Sequence, residues 1–167
     1  MKKTLLILLV ALSTSFAGVA QKLGHVNILE VMEGMPEYKM AETKLKQFEA
    51  NLQQELEAMY VEYQEKVAHF QDLQKSGTAS QTLLAAKAKE IEDLQMNIQQ
   101  YQENGQQELV HKQEELVKPI KVKVETTLNT FGKENGYVYI FDSSSGILLY
   151  QGGDDLTAKI KAKLGGQ

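Results

Sequence analysis

The sequence predicts an α+β fold that is mostly α, with a long antiparallel α-helical hairpin arm on a small β body. Three observations predict it. Two long stretches carry narrow apolar stripes at helical spacing. A short break containing Gly77 separates them. Both ends of the mature chain switch to short apolar runs of period two.

The first twenty residues stand apart. MKKTLLILLVALSTSFAGVA has a basic start at Lys2 and Lys3, an apolar run from Leu5 to Leu12, and small residues at Ala17 and Ala20. This is the pattern of a secretory signal peptide (1–20), with cleavage expected after Ala20 or Ala17. The run is shorter than the ~20 residues a spanning helix needs, and no second apolar stretch in the sequence is long enough to span. An exported mature chain is expected. The sequence has no Cys, so it uses no disulfide and carries no N-terminal Cys for lipid attachment. Removing Lys2 and Lys3 from the 18 basic residues leaves 16 Lys against 22 acids, a balance of about −6. Every basic residue is Lys. An acidic chain without Arg argues against nucleic acid as a partner, because phosphate neutralisation dominates that affinity.

LGHVNI (23–28) is expected to form a short strand with Val26 and Ile28 on one face. The linker EGMPE follows, and its Pro36 suits the first turn of a helix. From Glu37 to Lys75 the chain is rich in Glu, Gln, Lys, Ala and Leu, without Gly or Pro. Its apolar residues, Leu45, Phe48, Leu52, Leu56, Met59, Tyr63, Val67 and Phe70, recur in an eleven-residue pattern. Such spacing favours a nearly straight helix whose single stripe meets one partner. Gly77 is the expected terminator, and Thr78 with Gln81 resembles a capping box. A second helical pattern runs from Leu84 through Ile91, Ile98, Leu109, Leu116, Ile120 and Val124 to Phe131, where Gly132 is expected to end it.

A short turn near residue 78 makes the two helices an antiparallel hairpin whose facing residue numbers total about 156. Gly105 then faces Leu52, and Pro119 falls level with Pro36. That level, marked by the only two prolines, is expected to be a neck. Beyond it the arm, residues 37–117, is roughly 60 Å long at ~1.5 Å per residue. The body comprises 21–36 and 118–167. Within it, YVYIFD (137–142) and ILLY (147–150) are expected to form a strand hairpin around DSSSG. Asp154 or Asp155 then caps a last helix, with Leu156, Ile160 and Leu164 on one side. A body of about 66 residues buries a marginal core, which gives it a reason to self-associate.

No constellation for chemistry emerges, and an enzyme is rejected. His25, His69 and His111 are scattered, without metal-ligand spacing. Asp142 with Ser143, Ser144 and Ser145 is explained by a polar turn. Asp154-Asp155 offers two adjacent carboxylates, too few for Ca²⁺. No Gly-rich phosphate loop is present, so no catalytic, metal or cofactor residue is assigned. The acid-rich stretch 90–115 holds seven acids against Lys112 and is taken as a solvated face. Tyr60, Leu73, Leu83 and Met96 lie off the main stripes and are the candidates for contact with an unfolded polypeptide. NIQQYQENGQQEL (97–109) persists as helix because Gln and Glu propagate helix well, while Gly105 within it costs ~1 kcal/mol relative to Ala. Gly105 either lets the backbone approach Leu52 or loosens the arm as a pivot, and the pivot is favoured.

The order of parts resembles the periplasmic chaperone Skp (OmpH-like) family. The matching stretches are LGHVNILEVMEGMPEY, GYVYIFDSSSGILLY and DDLTAKIKAKL, and the likeness covers essentially the whole mature chain. The resemblance implies a homotrimer whose strands form an intersubunit β-barrel, here through Val26, Ile28, Val138, Ile140 and Leu148. It implies an ATP-independent holdase that keeps unfolded outer-membrane proteins in a cavity between helical arms, in the periplasm. It implies no cofactor and no catalytic residue. The better-known members are strongly basic toward the arm tips, whereas this chain is acidic. Binding of clients is therefore expected to rest on apolar and polar contacts along the arms, not on capture of acidic clients or of lipopolysaccharide. Two other readings fit a long helical hairpin: a structural adaptor or spacer of the envelope docking one folded partner, and a subunit of a secretion or efflux assembly.

Overall fold

The computed structural model describes residues 21–165. The expected signal peptide therefore lies outside the described residues. The elements run β1 (Lys22–Val26), α1 (Ile28–Glu33), α2 (Pro36–Ser76), α3 (Gln81–Asn135), β2 (Tyr137–Asp142), β3 (Asp154–Asp155) and α4 (Thr157–Gly165). They form two compact units. One holds the described residues up to Val31 together with those from Glu125 onward, and the other is Met32–Val124.

The first unit is built on a three-stranded sheet of order β2-β1-β3. Both pairings are parallel, with His25 opposite Phe141 on one side and Asp155 on the other. Parallel neighbours need a long crossover, and between β1 and β2 that crossover contains the whole of α1, α2 and α3. Val26, Val31, Phe131, Leu156, Ile160 and Leu164 are buried and make the core of this unit. The last helix buries Ile160 and Leu164 as expected, and the expected Leu156 is buried just before its first residue. Of the two candidate caps, Asp155 acts, its Oδ1 accepting from Thr157 N at 2.9 Å. Hydrogen bonding by Thr157, through its side chain first and its backbone N–H second, holds the Asp155 carboxyl below its usual pKa. Gly24 lets β1 lie close under α4, since a Cβ there would stand 2.8 Å from Leu156 Cδ1.

Three expectations for this unit are corrected. Ile28 is not in a strand. Asn27 Oδ1 accepts from Glu30 N at 3.0 Å, an N-cap that turns the chain out of β1 into α1 one residue earlier. Gly132 does not end α3, which continues to Asn135; Gly136, at φ 72°, follows the last turn instead. Gly132 is buried where a Cβ would meet Ile140 Cδ1 at 3.3 Å, so its role is close packing of helix on strand. Finally, 147–150 forms no strand, and Leu148 is half-buried outside any ladder. The chain leaves β2 through the Asp142 turn without returning along its open outer edge, and the remaining edge of β1 is taken by β3. The third strand is the two-residue β3 instead.

The second unit is the helical hairpin. α2 starts with Pro36 in its first turn and ends at Gly77, whose φ of 67° is left-handed. The N-cap of α3 is Ser80, not Thr78: Ser80 Oγ accepts from Leu83 N at 3.2 Å. The Thr78 hydroxyl is turned back onto Ser76 Oγ, 2.9 Å away. The expected register holds. Tyr101 Oη donates to Glu55 Oε2 at 2.7 Å, and Lys66 Nζ lies 3.7 Å from Glu90 Oε2, each pair centred on residue 78. Every residue of the eleven-residue stripe on α2 is half-buried and none is fully buried, while Leu94, Ile98, Ile120 and Val124 on the returning helix are buried. One stripe against one partner helix gives this thin seam.

Candidate functional site

Neither unit concentrates reactive groups. Among the described residues no three His, Asp or Glu side chains are grouped to hold a metal ion, and no helix is long and apolar enough to cross a membrane. His25 is buried in the sheet with Nδ1 unpartnered. Asp142 Oδ1 accepts from Ser144 N at 2.8 Å and Ser144 Oγ at 2.6 Å, while Ser145 Oγ donates to the Asp142 carbonyl at 3.1 Å. These three residues therefore make a self-satisfied turn. What the molecule presents is surface.

On the first unit that surface is apolar. Val26 is buried in β1, and Ile140 is half-buried, but Val138, Tyr139 and Phe141 of β2 are exposed, as is Leu23 of β1. The Tyr139 and Phe141 rings stack at 5.9 Å. β2 is an edge strand, so its outer backbone groups have no partner in the sheet. A groove of about 440 Å³ runs beside it, lined by Leu128, Gly132, Val138 and Ile140 among others. Beyond the Asp142 turn, Ile147 is 79% exposed, Tyr150 86% and Leu149 fully exposed. Sequence reasoning singled out Leu148 from this run. Its neighbours are the more exposed, and the alternation of a presumed strand hid them.

On the hairpin, Tyr60, Leu83 and Met96 are exposed as expected, while Leu73 is half-buried. Val61 and Val110 are also exposed and went unnoticed. Only their departure from the stripe spacing could have found them. Mid-hairpin, Gly105 lies under Leu52, whose methyls would be 3.8 and 3.9 Å from a Cβ there. The missing side chain leaves a groove of about 250 Å³ between Gln53, Leu56, Gln102 and Gln106. A second groove of about 350 Å³, lined by Tyr60, Tyr63, Gln95, Ile98 and Gln99, shares Gln102 with it. Gln102 Nε2 donates to Tyr60 Oη at 3.1 Å across the seam. The bond from Tyr101 to Glu55 pushes the Tyr101 phenol up to about 12. At the level of the two prolines, Glu37 pairs with Lys123, and Pro119 stands beside them within an unbroken α3. The Lys123 hydrogen bond, first of all, holds the Glu37 carboxyl below its usual pKa.

Comparison with known proteins gives a consistent result. A family model described as outer membrane protein (OmpH-like) matches residues 22–164. Five chains of solved structures match significantly. One is a crystal structure of a candidate outer membrane chaperone (OmpH-like) from Caulobacter crescentus CB15. It is 13% identical, with a TM-score of 0.74 over 90% of this chain and 87% of that one. At that identity the likeness concerns the fold alone. No curated protein matches significantly by sequence. The family match covers both units, from β1 to the last turns of α4, and on it the chain belongs to the OmpH-like outer membrane protein family.

Proposed function

We propose that this chain is an ATP-independent periplasmic holdase that keeps unfolded outer-membrane proteins from aggregating, as a homotrimer whose helical arms surround them. The observation that carries the reading is the OmpH-like match over residues 22–164 on a chain whose described residues leave apolar surfaces uncovered. Family membership and the description of the Caulobacter structure support a chaperone role.

The body surfaces suit assembly. One protomer exposes Ile147, Leu149 and Tyr150, and also carries the open edge of β2 with its apolar groove. A run like ILLY on one copy fits the β2 edge of the next. Such a head-to-tail contact closes into a ring when its rotation allows, and a closed barrel leaves no edge strand. Val26, Val138, Ile140 and Leu148 then line or flank the shared sheet. Ile28, at the start of α1, supports it from the helix side. On the arm, Tyr60, Leu83, Met96 and, in part, Leu73 supply weak contacts that add by avidity. Pro36 and Pro119 mark the neck, and Gly105 the pivot.

Static light scattering of the purified mature protein tests assembly, with three times the chain mass expected. Turbidity after dilution of a urea-unfolded outer-membrane β-barrel protein, with and without this protein, tests the function. Suppression for several such proteins is expected. A single stoichiometric complex with one folded partner, without suppression, would instead identify an adaptor.

A further inference from the structure

The two mid-hairpin grooves share Gln102 and run along one side of the seam. We propose that together they hold an extended segment of unfolded polypeptide by its main chain, through a row of glutamine amides. The proposal rests on the holdase reading and names what its arm recognises.

Gln95, Gln99, Gln102 and Gln106 follow one another at helical spacings of four, three and four, so they stand in a row on α3. Gln53 faces them from α2. A glutamine side chain ends in an amide, with two N–H donors and a carbonyl acceptor. That is the chemistry of the peptide group itself, so it satisfies a main chain whatever side chains the segment carries. All five amides lie on exposed residues. Two are committed within the hairpin: Gln99 Nε2 donates to Glu103 at 3.2 Å and Gln102 Nε2 to Tyr60. Gln53, Gln95 and Gln106 make no side-chain hydrogen bond to another described residue. The row from Gln95 to Gln106 spans roughly 16 Å at ~1.5 Å per residue, the length of about five residues of extended chain. Ile98 and Tyr63 give the groove an apolar floor for alternate side chains of such a segment.

Charge narrows the occupant. Residues 47–65 and 90–111 face one another, and each stretch holds five acids and no Lys. A segment rich in Asp or Glu is repelled there, whereas an uncharged one is not. The acids taken as a plain solvated face therefore select against acidic segments, while the amides between them do the holding.

The test uses the assembled full-length mature protein and a fluorescein-labelled, Thr- and Val-alternating peptide, compared by anisotropy with a copy N-methylated on alternate peptide groups. N-methylation removes main-chain donors and keeps every side chain. The parent peptide is expected to bind about tenfold more tightly than its N-methylated copy, given roughly one to two net hydrogen bonds lost. The triple variant Q53A/Q95A/Q106A should lose about tenfold for the parent and less for the N-methylated copy, whose carbonyls alone still meet the amides. Ala at exposed helical positions preserves the helix, which circular dichroism checks. Equal binding of the two peptides, or an unaltered parent affinity in the triple variant, overturns the proposal. If the wild-type protein discriminates the peptides yet suppresses no aggregation, the holdase reading falls and the groove stands. Suppression without discrimination sinks the groove alone.

Discussion

Gly105→Ala separates a pivot from a passive gap. The new Cβ meets Leu52 methyls at 3.8 and 3.9 Å, ordinary contact, so nothing must move. Helix propensity alone favours Ala by ~1 kcal/mol. The added methyl is half-covered, which contributes about 0.4 kcal/mol at half of ~0.8 kcal/mol for a buried methylene. The sum, about 1.4 kcal/mol, is a tenfold change in an opening equilibrium. Amide hydrogen exchange read by mass spectrometry should therefore slow about tenfold in peptides covering 101–109 and stay unaltered in those covering 137–165. Thermal unfolding of the helical signal should rise by about 3–6 °C. If Gly105 works as a pivot, the stiffer arm also suppresses aggregation of large clients less well than that of small ones. Unaltered exchange in 101–109, or a lowered transition, refutes the claim that this glycine is the soft point of the arm. Slowed exchange with undiminished capacity for large clients refutes the pivot alone.

Other substitutions probe other joints of the molecule. Gly24→Ala puts a Cβ 2.8 Å from Leu156 Cδ1 and 3.3 Å from the Asp154 carbonyl, so urea unfolding should show a loss of about 1–3 kcal/mol from overpacking. Asp155→Ala removes the cap of α4 at a cost of about 1 kcal/mol. Because the folded-state pKa of Asp155 is lowered, that contribution is fully present above its ordinary value of 3.8 and lost as the pH falls through the folded value. A pH series of urea midpoints on wild type and variant should therefore converge in acid. Tyr101 behaves oppositely: its phenol is raised from 10 to about 12, so its bond to Glu55 stabilises below pH 10 and is lost as the pH rises toward 12. Tyr38 and Tyr137 are also raised, so ultraviolet titration should find several late tyrosines, with the phase near 12 absent in Tyr101→Phe. Client binding should also fall less than tenfold between low and moderate salt, since Debye screening has little to act on where the contacts are amides and apolar groups.

The hairpin was legible because its cause is local. The apolar spacing, Gly77 and the register about residue 78 follow from helix geometry, and Tyr101 on Glu55 and Gly105 on Leu52 stand where that geometry puts them. The ends of the chain were less legible. Asn27 capping a helix at Ile28 is a one-residue decision between strand and cap, and the hydrophobic alternation around Val26 favours the wrong choice. Gly132 is spelled like a terminator but is buried for packing against Ile140, a contact between residues that only the fold brings together. ILLY has the composition of a strand yet joins no ladder and leaves Ile147, Leu149 and Tyr150 exposed, so composition alone misplaced it. The glutamine row was visible as composition. Its meaning needed the facing Gln53 and Tyr60, which lie on the other helix.

The parallel pairing of β1 with β2 has a consequence for how the chain comes to be folded. About 110 residues of chain separate the first strand from the strand it will neighbour. Closing a flexible loop of that length costs about 4 kcal/mol of entropy. The helical hairpin removes most of that cost, because it forms from near neighbours in sequence and folds its two ends back toward each other. The arm is thus a splint for its own sheet. A lesion at the turn around Gly77 should delay the closing of the sheet more than it weakens the sheet once closed.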